Sequence, residues 1–242
     1  MLRNKLLLIL VAVAMVLPMV LGGCAKGEAL AKELNVSLGT DPPTLDPALA
    51  TDTTSNAIIE MLFLGLTDLD DETVETKPEL ATEWKSSADG LTWTFKMRND
   101  VNWIKYDPAT KKATKERKVT ANDVVYAVKR MLDPATASDY AYVAYIIKGA
   151  QAFNTGENTD PESIGVRAVD EYTVEFTLEQ PAGYFPTIAG MWVNRPVPKE
   201  IIDQYGDQWT NPGNIWVNGP YMLDTWEHDA KVVLVKNPYW WD

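Results

Sequence analysis

Cysteine and histidine are almost absent from this 242-residue chain, which has one of each, Cys24 and His228. A single cysteine excludes an internal disulfide. One Cys and one His are too few for a Cys/His zinc cluster. Basic charge is also in deficit: 22 Lys and Arg face 34 Asp and Glu, a formal net charge of −12. Nucleic acid is therefore not the expected partner, because its phosphates call for a basic surface. The chain has no Gly-x-Ser-x-Gly elbow and no Gly-x-x-x-x-Gly-Lys phosphate loop. His228, in Trp226-Glu227-His228-Asp229-Ala230, has no nucleophile marked out beside it and reads as a turn histidine. Enzyme, metal and cofactor readings thus find no support, and none is expected. What is abundant is aromatic: nine Trp and ten Tyr. Such side chains build cores and also line pockets that grip varied ligands.

The first residues read as an address. Arg3 and Lys5 precede an unbroken apolar run over residues 6–17, the layout of a secretory signal. The run is shorter than the ~20 residues a membrane-spanning helix needs, and no second such run follows. Leu21-Gly22-Gly23-Cys24 resembles the bacterial lipoprotein signal box. That resemblance implies cleavage before Cys24 and a lipid on its sulfur. The protein is then expected to be exported and held at the outer face of the cell membrane, or on the periplasmic side. The other reading is an ordinary signal peptide with an incidental cysteine.

The remaining chain mixes strand and helix patterns without the regular alternation of a doubly wound sheet. Leu34, Val36 and Leu38 alternate with polar residues and predict a strand. Thr53, Thr54 or Ser55 can N-cap a helix through Ile58, Ile59, Met61 and Leu62. Leu91, Trp93, Phe95 and Met97 predict a half-buried strand after the turn Ala88-Asp89-Gly90. Tyr172, Val174, Phe176 and Leu178 repeat the pattern. Between them, Thr120 and Asp123 form a capping box ahead of the stripe Val124, Val125, Val128, Met131 and Leu132, and Asp133-Pro134 ends that helix. A last strand is predicted over residues 231–236.

The order of several short motifs carries a more specific resemblance. Pro43-Thr44-Leu45-Asp46-Pro47, Leu80-Ala81-Thr82-Glu83-Trp84, Asp89-Gly90-Leu91-Thr92-Trp93 and Val119-Thr120-Ala121-Asn122-Asp123-Val124 come first. Gly165-Val166-Arg167-Ala168-Val169-Asp170, Asn218-Gly219-Pro220-Tyr221 and Asn237-Pro238-Tyr239-Trp240 follow. In this order they resemble the oligopeptide-binding branch of bacterial solute-binding proteins, which serve ABC importers. The resemblance implies a mixed α/β, two-lobed periplasmic-binding-protein-like fold that closes on its ligand about a hinge. It divides the chain into a signal peptide (1–23), a lipidated tether (24–33), a discontinuous sheet domain (34–63 and 199–242) and an inserted domain (64–198). A second lobe, holding the acid that meets the peptide's amino group, is expected beyond residue 242. The implied ligand is an extended oligopeptide, and the implied partners are ABC permease subunits and, through Cys24, the membrane. An oligosaccharide, a dipeptide or a nickel complex is the alternative ligand on the same fold, and a surface sensor or adhesin a third class.

The resemblance also points to site residues. The loop Ala50-Thr51-Asp52-Thr53 is expected to offer main-chain groups, with Thr51 and Thr53 beside the peptide. The same hydroxyls can instead cap the following helix. Asp52 is an anion near the cleft or a solvated loop carboxylate. Tyr140 matches a family tyrosine that reaches into the cleft. Met191 and Trp192 lie where the chain returns towards it, or else belong to the core. One segment departs from the family pattern: Trp103-Ile104-Lys105-Tyr106 leads into a loop rich in lysine, with Lys111, Lys112, Lys115, Arg117 and Lys118. It reads as a solvated hairpin tip, or as a contact for anionic lipid or a transporter subunit.

Overall fold

The computed structural model of the chain describes residues 33–241, so the signal segment and Cys24 lie outside the described residues. Two units divide the chain between Ser37 and Leu38. Of the first, residues 33–37 are exposed and carry no helix or strand. The strand predicted there is not formed: Leu34 and Val36 are 86% and 68% exposed. Alternation supplies an apolar stripe, but a strand also needs a neighbour for its N–H and C=O groups, and no described strand pairs with it.

The second unit begins with helix α1 (Thr53–Leu62). Strands β1 (Thr67–Leu69), β2 (Thr76–Pro78), β3 (Ala81–Ser86), β4 (Thr92–Met97), β5 (Asn102–Asp107) and β6 (Lys112–Lys118) follow. Helices α2 (Ala121–Leu132) and α3 (Ala150–Asn154) lead to β7 (Val166–Asp170) and β8 (Thr173–Thr177). Then come α4 (Phe185–Gly190), α5 (Lys199–Tyr205), β9 (Trp216–Val217), β10 (Tyr221–Glu227) and β11 (Lys231–Lys236). The predicted strands over β4, β8 and β11 and the helix α2 are all present. In α2 the Asp123 carboxylate accepts the Thr120 N–H at 2.8 Å, as the capping box requires. Val124, Val128, Met131 and Leu132 are buried along one face.

Four strands form an antiparallel sheet in the order β3-β4-β8-β7, with Trp93 opposite Phe176 and Phe95 opposite Val174. Period two sends Trp93, Phe95 and Met97 of β4, and Val174 and Phe176 of β8, to one buried face. Phe95 is the hub of that face. Its ring meets Phe176 edge-on at 5.7 Å and Phe185 of α4 at 6.2 Å, and stacks with Trp84 and Trp93. Helix α4 is therefore seated on the sheet through Phe185, and its C-terminal end delivers Met191 and Trp192. A second sheet, β6-β5-β9, joins the lysine-rich hairpin to residues 216–217.

Two motifs of the sequence find their reason in close backbone contact. Gly219 donates its N–H to the Leu62 carbonyl at 2.8 Å at the end of α1. A Cβ at Gly219 would lie 2.7 Å from both Leu62 C and Met61 O, so only glycine fits. The neighbouring Asn218 side chain accepts the Leu64 N–H at 2.9 Å. The hairpin cations are in part committed to structure. Lys111 Nζ reaches Asp224 at 2.6 Å, and Arg117 forks between Asp123 at 2.6 Å and Glu200 at 2.5 Å. His228 lies in the β10–β11 turn as read, its Nδ1 2.7 Å from Asp41 Oδ2.

Candidate functional site

The loop over residues 47–52 is held from below by a buried ion pair. Asp46, only 4% exposed, accepts both terminal nitrogens of Arg130, at 2.9 and 2.6 Å. The same carboxylate accepts the Trp209 indole N–H at 2.9 Å and the Ala48 N–H at 3.0 Å. Four donors on one carboxylate compensate its loss of water. Arg130 comes from the last turn of α2, where a cation also complements the helix dipole. Sequence reading placed Asp46 in a motif and gave it no role. Its partners are 84 and 163 residues away, so no local signal names them.

The loop ends at α1, and the cap is a correction to the sequence reading. Asp52, rather than Thr53, Thr54 or Ser55, is the N-cap: its Oδ1 accepts the Ser55 N–H at 2.8 Å. Asp and Thr both cap helices, but the extended backbone at Asp52 places its side chain over the free N–H groups. Asp52 is thus occupied structurally through one oxygen. Its Oδ2, with Ser55 Oγ and Asn56 Oδ1, is buried without a hydrogen-bond partner among the described residues. Thr51 and Thr53 are exposed, and neither hydroxyl is engaged by another described residue.

Trp192 draws the separate segments together. Its indole N–H donates to the Ala50 carbonyl at 3.0 Å. Its ring meets Tyr140 at 5.0 Å, edge to face. So the 50–53 loop, Tyr140 and Trp192 form one neighbourhood, drawn from parts of the chain 142 residues apart. Met191 is the half-buried residue between α4 and the following turn, and packs against the core. Cys24 lies outside the described residues. Tyr142, to which the sequence reading gave no role, has its ring 5.7 Å from that of Tyr140 and is 58% exposed.

Arg195, three residues after Trp192, forms a second charged pair. Arg195, 3% exposed, donates to the Phe63 carbonyl, and its Nη1 lies 3.9 Å from Glu79 Oε1. Glu79 Oε2 accepts the Gly65 N–H at 2.5 Å. Burial raises the Glu79 carboxyl to about 7, and Arg195 at that distance only partly opposes it. A native state that holds this proton when the unfolded chain has lost it is less stable as pH rises. Between pH 5 and 7 Glu79 is therefore expected to contribute a negative slope of stability against pH. Denaturant unfolding across that range checks this: Glu79→Gln should flatten the slope, and an unchanged slope would rule the account out.

Comparison with known proteins relates the chain and its fold to a family. The oligopeptide-binding protein OppA of Bacillus subtilis (strain 168) is 36% identical over 212 residues, covering 86% of this chain and 36% of its own length. The solved structure of Burkholderia pseudomallei OppA superposes with a TM-score of 0.74 at 37% identity, covering 82% of this chain and 37% of that one. Listeria monocytogenes OppA bound to peptide gives 0.75 at 30% identity, covering 84% and 38%. This chain therefore has the mixed α/β fold of part of the oligopeptide-binding-protein structures, and spans less than two fifths of the length of these relatives. Residues 75–242 match the model described as bacterial extracellular solute-binding proteins, family 5 Middle, and the chain belongs to that family.

Proposed function

We propose that the protein carrying this chain is the substrate-binding component of an ABC importer and captures extended oligopeptides outside the cell. The observation that carries this reading is the wall built by Trp192, Tyr140 and the 50–53 loop. Two aromatic rings stand against the loop that carries Thr51 and Thr53, and the Asp46–Arg130 pair fixes the base of that loop. An extended peptide can be gripped there through its backbone, which every sequence shares. Rigid aromatic rings then contact side chains at small entropic cost. Capture and release need no covalent step, so in this reading the protein is not an enzyme. Thr51 and Thr53 face the peptide, Tyr140 and Trp192 form the wall, Met191 backs it, and Asp52 holds the loop's exit. ABC permease subunits receive the load.

The discontinuous organisation belongs to the same proposal. The passages at 63–66 and 195–198 are laced together by Arg195 on the Phe63 carbonyl. Asn218 on the Leu64 N–H adds a third strand of chain. Titration calorimetry of the native polypeptide with tri- to pentapeptides of varied sequence tests the function. Binding across sequences is expected, with Tyr140→Ala weakening all of them about five- to tenfold, or about 1–1.4 kcal/mol. Failure of every peptide to bind would sink the proposal.

Membrane anchoring through Cys24 is supported by the signal layout over residues 3–24. Several acyl chains, at about 0.8 kcal/mol per buried methylene, hold a protein stably at a membrane. Cys24→Ser is expected to move the protein from the membrane fraction to the soluble exported fraction. An unchanged distribution would refute the anchor.

A further inference from the structure

The aromatic wall does not stop at Tyr140. Tyr142 adds a third ring: the Tyr140 ring lies 5.0 Å from that of Trp192 and 5.7 Å from that of Tyr142. Trp192 and Tyr140 are half-buried, whereas Tyr142 is 58% exposed. The outward position of Tyr142 is built in by its neighbours. It sits in a short 3-10 turn, Ala141–Ala144, whose Ala141 and Ala144 are buried against the core. The turn is closed by the Val143 N–H on the Tyr140 carbonyl at 3.1 Å and the Tyr145 N–H on the Tyr142 carbonyl at 3.2 Å. No hydrogen bond holds the Tyr142 hydroxyl among the described residues. An apolar ring face this exposed, on a fixed turn, offers contact area without a competing internal partner.

We propose that Tyr142 is a specificity-determining residue that favours aromatic side chains in the bound peptide. This rests on the peptide-binding reading above. The ring spacing matches the ligand chemistry. Side chains on one face of an extended peptide recur about every 6.6 Å, close to the 5.7 Å between the Tyr140 and Tyr142 rings. A peptide whose backbone lies along the 50–53 loop then presents one side chain towards Tyr140 and the next on that face towards Tyr142. Offset or edge-to-face stacking favours an aromatic guest over alanine.

The test compares two lysine pentapeptides with alanine at the second position and either phenylalanine or alanine at the fourth, so that two side chains share one face, by calorimetry on the native polypeptide. The wild type is expected to bind the phenylalanine peptide at least fivefold more tightly. Tyr142→Ala should abolish that preference, so that the two peptides bind within twofold of each other. Tyr142→Phe, which keeps the ring, should retain the preference. Equal binding of the two peptides by the wild type overturns the assignment. So does a preference that survives in Tyr142→Ala, or a uniform loss for both peptides in that variant. If the wild type binds neither peptide, nor any other short peptide, the peptide-binding reading itself falls and this inference with it.

Discussion

Replacing Asp46 with alanine is expected to cost about 3–5 kcal/mol of stability, because it strands Arg130 in the interior without its counter-charge. Arg130 has both terminal nitrogens on Asp46, at 2.9 and 2.6 Å, and its side chain is 15% exposed. The Trp209 indole N–H and the Ala48 N–H lose their acceptor in the same step. An orphaned buried donor carries its own penalty of about 1–3 kcal/mol. Chemical denaturation measures the loss. The informative control is Asp46→Ala combined with Arg130→Met, which removes both charges. It is expected to recover much of the stability, since a buried pair replaced by apolar residues is often nearly neutral. A loss below 1 kcal/mol in the single variant would mean that water reaches Arg130 and that the pair is no anchor. The pair holds the base of the loop that carries Thr51 and Thr53. Ligand affinity should therefore fall in the single variant even at temperatures where the fold survives.

Phe95→Ala is expected to have a comparable effect, about 3–5 kcal/mol. Phe95 is fully buried and packs against four aromatic rings, of Trp84, Trp93, Phe176 and Phe185. Truncation leaves a cavity that these rigid rings cannot collapse to fill. The effect should extend to the site, because Phe185 begins the helix that ends at Met191 and Trp192. Near-ultraviolet circular dichroism should lose intensity along with stability. Phe95→Leu, which restores most of the volume, should lose clearly less. Equal losses for the two variants would show that the cost is not a packing cost.

The strands around Phe95 and Phe176 were legible because burial of one sheet face writes period two into the chain, and β4 and β8 carry it for five or six residues each. Helix α2 was legible for a similar reason, since its capping box and its apolar stripe fall within 12 consecutive residues. The strand expected at Leu34 fails by the same logic. Its stripe is present, but pairing depends on a second segment that no local pattern names. The cap of α1 was misread by one to three positions, because the choice among Asp52, Thr53, Thr54 and Ser55 turns on backbone angles. Of the proposed site, the chain order of motifs pointed to the 50–53 loop, Tyr140, Met191 and Trp192; the family match over residues 75–242 includes the last three and not the loop.

The sequence by itself determined what is periodic or consecutive: the sheet faces, the capped helix, the signal-like start, and the ordered motifs that mark the family. Tertiary structure alone decided which distant groups meet. Asp46 lies 84 residues from Arg130, and Ala50 lies 142 from Trp192. It also decided that Gly219 must be glycine, through a backbone contact with Met61 and Leu62. The physical reason is that hydrogen bonds, ion pairs and ring contacts act over a few ångströms of space. Only the folded chain brings groups so far apart in sequence within that range.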